Sequence, residues 1–270
     1  MGTRGASREL VVAAAAVILV SRLVEGPIAW LVGAFLLIGV ALGTLQVLGE
    51  SGSPSAAAGV PVESLLATSV AAFAVFGSIR LVPLGLVLAP ALLGGAWLIG
   101  RVLATEMRIL TAPTGPSGAD RTAILVEVLV VAFLGFAGIA ALVPGGLPEP
   151  GVVLTEPPSG GDLAVLAVAD GFLAFLLAYR SAALRSSNLR DVAWFALTSG
   201  VVVGIAAVAL RAMEIPRLLG PALLILVLFL WDAVHGTTPT TRRDPRRIWE
   251  TVLLVVLGIV VAAWSVRLRG

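Results

Sequence analysis

Apolar residues fall into long blocks separated by short polar or Gly/Pro-rich stretches. A helix needs about 20 apolar residues to cross a bilayer. Blocks near that length lie at 9–24, 28–48, 62–79, 84–104, 122–143, 162–180, 192–210, 217–235 and 249–266. The pattern predicts nine transmembrane helices. The first block is the weakest, because Arg22 and Glu25 cut its apolar part to Leu10–Ser21. It follows Arg4 and Arg8 as the core of a signal peptide would, but the stretch SRLVEGP at 21–27 offers no small-x-small cleavage site. The expectation is a retained first helix closed by Gly26-Pro27. Without it the count is eight.

Tryptophans support these boundaries. Trp30, Trp194 and Trp249 stand at predicted helix starts, and Trp97, Trp231 and Trp264 toward helix ends. Indoles prefer the headgroup region. Arginine then sets the orientation. With the N-terminus inside, the inner segments hold Arg4, Arg8, Arg101, Arg108, Arg121, Arg180, Arg185, Arg190, Arg242, Arg243, Arg246 and Arg247. The outer segments hold Arg22, Arg80, Arg211, Arg217, Arg267 and Arg269. Twelve against six favours a cell-membrane protein with a cytoplasmic N-terminus and an external C-terminus. The segment 49–61 fits poorly, since it should be inside but carries Glu50 and no arginine.

Composition agrees with lipid as the solvent. The chain of 270 residues is 59% hydrophobic and 13% charged, with a mean hydropathy of +1.05. A soluble domain carries about 25% charged residues. The expected fold class is therefore all-α, a polytopic transmembrane bundle forming one integral membrane domain over 1–270. No loop is long enough for a soluble domain. Every basic residue other than His235 is an arginine, and there is no cysteine. Without lysine there is no Schiff base and no phosphate-loop lysine. Without cysteine there is no iron–sulfur cluster, disulfide or thiolate nucleophile. One histidine does not make a histidine-rich metal cluster. No cofactor, metal set or catalytic residue is expected. A net charge of +2 gives no reason to expect nucleic acid as a partner.

Two segments resemble each other. In 67–93 and 197–224, Thr68-Ser69 aligns with Thr198-Ser199, Arg80 with Arg211, and Pro90-Ala-Leu-Leu with Pro221-Ala-Leu-Leu. The alignment suggests a parallel 4+4 repeat, with halves 9–104 and 122–235 and an added helix at 249–266. Apolar hairpins drawn from few residue types also align by chance, and the flanking spans show no clear similarity. Gly39-xxx-Gly43 and Gly200-xxx-Gly204 fit close helix packing.

The polar residues inside the spans carry the candidate chemistry. Asp170 lies near the middle of the sixth block, where an aspartate costs about 2.5–3.5 kcal/mol to insert. Such residues face the protein interior and mark function by default. Arg180, ten residues on, is about 15 Å away along a straight helix and is no partner. Three arrangements fit: a protonated Asp170, an Asp170 accepting hydrogen bonds from Thr68, Ser69, Thr198, Ser199 or water, or a helix broken at Asp170-Gly171. The bland alternative is a protonated aspartate bonded to a neighbour, with a purely structural role. Glu127 lies within the fifth block, and Asp232 and His235 one turn apart near the inner end of the eighth. These three suggest a shared cytoplasmic vestibule or plain interfacial solvation. The cluster TTRRDPRR at 240–247, with Arg242, Arg243, Arg246 and Arg247, is expected to bind anionic headgroups at the cytoplasmic face.

Three functions fit this pattern. The first is a non-catalytic, transporter-like or accessory protein with a polar site at Asp170. The second is a structural subunit held by a membrane-protein partner or a second copy. The third is a lipid-modifying enzyme using Asp170 or Glu127 as acid or base.

Overall fold

The computed structural model describes residues 2–50, 60–112, 118–144, 159–186, 188–215, 218–235 and 245–267. Among them there is helix and no strand. The helices are α1 (Gly2–Val20), α2 (Pro27–Gly49), α3 (Val62–Ser78), α4 (Leu88–Thr111), α5 (Gly118–Leu142), α6 (Gly160–Ala183), α7 (Leu189–Ala212), α8 (Leu219–His235) and α9 (Pro245–Arg267). Each coincides with one predicted block. Six of them are long and apolar enough to cross a membrane: α2 to α7. The apolar parts of α8 and α9 are shorter.

Helix α2 explains why lipid is the solvent. Ala29, Gly33, Leu36, Val40 and Thr44 form its buried stripe. Ile28, Leu31, Phe35, Ile38 and Leu42 form its exposed stripe. Both recur at helical spacing, and the exposed stripe is the more uniformly apolar. A helix apolar all round belongs in a core or a bilayer, and this one has an open face.

Local chemistry sets several ends. Gly26, at φ +62°, caps α2, and Pro27 occupies its first position, where the missing N–H costs nothing. Gly26-Pro27 therefore opens α2; α1 has already closed through a 3-10 turn at Ser21–Leu23. Ser159 caps α6 by accepting from the Asp162 N–H and donating to its carboxylate. Asn188 caps α7 in a similar way, accepting from the Arg190 N–H and donating to Asp191.

The chain divides into two compact units, Met1–Leu142 and Val143–Gly270. Among the described residues the first holds five α-helices and the second four. The division thus falls after the helix with which the second half of the sequence repeat would begin.

In the first unit α3 is central, packing on α1, α2, α4 and α5. Small residues make this geometry feasible: Ala71, Ala72, Ala74 and Gly77 are all buried. Phe73 and Phe76 fill the space left by Gly33 of α2, and Val75 the space left by Gly95 of α4. Leu10 of α1 sits in the gap at Gly43, while Gly39 meets open space. Only one glycine of the predicted Gly39-xxx-Gly43 pair is therefore used.

The 3-10 turns that end α1 and α3 are tied together. Arg22 donates through Nη1 to the Arg80 carbonyl (3.1 Å) and through Nη2 to the Val82 carbonyl (2.9 Å). Arg80 returns the contact, donating to the carbonyls of Val24 (3.0 Å) and Ser21 (2.8 Å). The last carbonyls of a helix lack intrahelical donors, and arginine supplies them. This clasp anchors the hydropathically weak α1.

In the second unit α6 and α7 form a tight antiparallel hairpin. Ala167 faces Gly204, and Gly171 faces Gly200, in backbone contact. Helix α8 packs on α7, and α9 on α8.

Candidate functional site

The α6–α7 hairpin determines where Asp170 stands. Gly171 and Gly200 mark the crossing, since a Cβ on either would meet the partner's carbonyl oxygen, at 2.8 Å and 2.6 Å. In an antiparallel pair, the residue just before the contact on each helix turns to the same side. One helix's 100° step is mirrored by the other's reversed direction. Asp170 precedes Gly171, and Ser199 precedes Gly200. They therefore flank the crossing on one side of the hairpin.

Burial agrees with this construction. Leu166, Asp170, Leu173 and Leu177 of α6 are buried, as are Val192, Ala196, Ser199 and Val203 of α7. On the opposite side Val168, Phe172, Leu197, Val201 and Ile205 are exposed. They line an open apolar groove of about 520 Å³ whose floor is Gly171, Gly200 and Gly204. The hairpin thus has one lipid-like face and one buried face, and the polar pair is on the buried face.

Asp170 is 1% exposed. Its Oδ1 and the Ser199 Oγ are both buried and without a hydrogen-bond partner. An unsatisfied buried polar atom costs about 1–3 kcal/mol. Two at one helix crossing are a concentrated cost and call for a function or a guest. Helix α6 runs unbroken through Asp170-Gly171. The broken-helix arrangement does not occur, and Gly171 serves the crossing instead.

The other predicted hydroxyls have different situations. Thr198 donates to the Trp194 and Phe195 carbonyls of its own helix. Ser69 donates to the Leu65 carbonyl. Both thus donate to carbonyls of their own helices. Thr68, on α3 in the first unit, is fully buried with no partner for Oγ1.

The three residues predicted to share a vestibule have partners within their own units. Glu127 accepts from the Thr105 hydroxyl at 2.9 Å and pairs with Arg101 Nε at 3.2 Å, both on α4. Arg101 also lies over the Trp97 ring. Asp232 on α8 takes a two-pronged contact from Arg185, at 2.6 and 2.9 Å, and Arg185 lies over the Phe195 ring. His235 stacks on Trp231, with ring centroids 3.9 Å apart. Among the described residues no three His, Cys, Asp or Glu side chains gather. Sequence reasoning missed Arg101, Thr105 and Arg185. The available signal was opposite charge near the same end of neighbouring spans.

Of the basic cluster, Arg242 and Arg243 lie outside the described residues. Arg246 and Arg247 fall in the first turn of α9, with side chains outside the description. The chain matches no protein-family model, no curated protein and no solved structure.

Proposed function

We propose that this is a non-catalytic, transporter-like membrane protein whose polar site is the Asp170–Ser199 pair at the α6–α7 crossing. The observation that carries the reading is a buried carboxylate whose Oδ1 has no partner, on the same side of the helix crossing as a buried hydroxyl that also has none. A protein held together only by packing gains nothing from either atom. A proton, a cation or a polar solute would supply the missing partner. In this reading the N-terminus is cytoplasmic, as the arginine distribution favours, and the arginines at 240–247 bind anionic headgroups there.

The absence of cysteine makes the test clean. Single cysteines at Asp170, at Ser199 and at Ala174, one turn along α6, are treated in intact membranes with a water-soluble thiol reagent. Labelling at Ser199 and Ala174, which keep the aspartate, is the expected result. Protection at all three positions rejects a water-reachable site. It then favours the second reading, a structural subunit.

That second reading has its own observation. The groove over Gly171, Gly200 and Gly204 is apolar, and its walls Phe172, Val201 and Ile205 are exposed, a face suited to cover by another apolar helix. It predicts a co-purifying membrane protein or a second copy.

A further inference from the structure

The Arg22–Arg80 clasp places two guanidinium groups on adjoining backbone segments. Among the described residues neither Arg22 nor Arg80 forms an ion pair. Glu25, exposed on the same segment, forms no ion pair with them and acts on Arg80 only at longer range. The helix ends that the arginines cap each carry about half a negative charge. Two full positive charges outweigh two such ends, and Glu25 offsets the charge at Arg80 by less than Arg22 adds to it, so the clasp stays electropositive.

Donor capacity is also left over. A guanidinium has five N–H groups. Each arginine spends two on carbonyls, and each Nε is buried without a partner. Two Nη hydrogens on each arginine are not used by these bonds, and the carbonyl bonds fix their direction. Arg80 is further fixed over the Phe76 ring, 5.2 Å from its centroid.

The surroundings are apolar and exposed. Leu23, beside Arg22, is 86% exposed; Leu84 and Leu86, in the 82–87 segment that follows Arg80, are 75% and 95% exposed. Leucines this bare on turns of a membrane protein fit the headgroup–acyl boundary, where apolar side chains find lipid. Charge and apolar surface thus meet at one place, as they do in a phospholipid.

We propose that Arg22 and Arg80 form a binding site for the phosphate of an anionic phospholipid, whose acyl chains lie against Leu23, Leu84 and Leu86. It is a different site from the arginines at 240–247. Excess charge and donors suit the phosphate, and the exposed leucines select a lipid over a soluble anion.

The test is native mass spectrometry of the full chain in detergent, with dioleoyl phosphatidylglycerol or phosphatidylcholine added. The wild type is expected to retain phosphatidylglycerol preferentially. Arg22→Gln and Arg80→Gln are each expected to weaken retention about fivefold, the factor equivalent to about 1 kcal/mol per arginine. These variants also lose a helix-end cap, so circular dichroism melting runs alongside. The double variant Leu84→Ser/Leu86→Ser keeps the clasp, and is expected to lose lipid retention at an unchanged melting temperature. If the arginine variants fail to fold, the leucine variant decides alone. Equal retention of both lipids by the wild type overturns the proposal, as does undiminished retention in the leucine variant. Displacement of the lipid by inorganic phosphate from wild type and leucine variant alike would assign the arginines to a soluble anion, and also overturns it.

Discussion

Gly77 of α3 and Gly138 of α5 touch through their backbones: a Cβ on either would lie 2.7 Å from the other's Cα. No side-chain rotation relieves such a contact, so the helices themselves must separate. Gly77→Ala and Gly138→Ala are each expected to destabilise the first unit by about 1–3 kcal/mol, the cost of overpacking. Gly39→Ala, facing open space, is the control and is expected to change stability by less than about 0.5 kcal/mol. Thermal unfolding in detergent followed by circular dichroism checks all three. A Gly77 variant as stable as the Gly39 variant would mean that α3 and α5 do not approach this closely.

The buried Glu127 carboxylate relies on α4 for its partners. Thr105→Val removes a hydrogen bond to a charged group without changing side-chain shape. It is expected to cost about 1.5–3 kcal/mol. The Arg101 side chain is 48% exposed, so its pairing is screened, and its coupling to Glu127 is expected to be about 1 kcal/mol or less. A double-mutant cycle with Arg101→Gln and Glu127→Gln measures that coupling. A value well above the Thr105 effect would reverse this ranking of the two partners.

Arg185 and Asp232 join the end of α6 to the end of α8 through two parallel hydrogen bonds. Both side chains are about a third exposed, so the pair is expected to contribute about 0.5–1 kcal/mol, and less at high salt. Asp232→Asn is expected to lower the melting temperature at low salt, with the difference shrinking as salt is added. A salt-independent loss would point to packing of Arg185 on Phe195 as the dominant contribution.

How much of this was legible depends on what each feature requires. Helix positions follow from hydropathy alone, and every predicted block is a helix. Ends that extend past the apolar stretch are less visible. Helix α4 continues to Thr111, seven residues beyond the predicted end at 104, because nothing stops a helix at the membrane surface. That extension carries Thr105, the hydroxyl partner of Glu127. Glycine pairs are a second limit. Gly39-xxx-Gly43 and Gly200-xxx-Gly204 look alike in sequence, but only the second has a facing backbone, a property of the neighbouring helix. The depth of Asp170 was readable by counting residues. That Ser199 lies on the same side of the helix crossing was not, because it depends on the register set by Gly171 and Gly200.

That register supports a prediction separating a guest-binding site from an empty one. Where a buried hydroxyl has no partner, removing it relieves an unmet desolvation cost. Ser199→Ala is therefore expected to stabilise the second unit by up to about 1–3 kcal/mol if the crossing stays dry. If a water or cation lies between Ser199 and Asp170, the same substitution deprives it of a ligand, and the melting temperature falls or stays level. Asp170→Asn sharpens the comparison, because an amide keeps the shape but cannot hold a cation's charge. A cation site loses salt-dependent stabilisation in both variants, whereas a dry crossing shows none in either or in the wild type. The cation form of the transporter-like reading requires the first pattern. Melting curves of the three proteins across sodium and potassium concentrations decide between them.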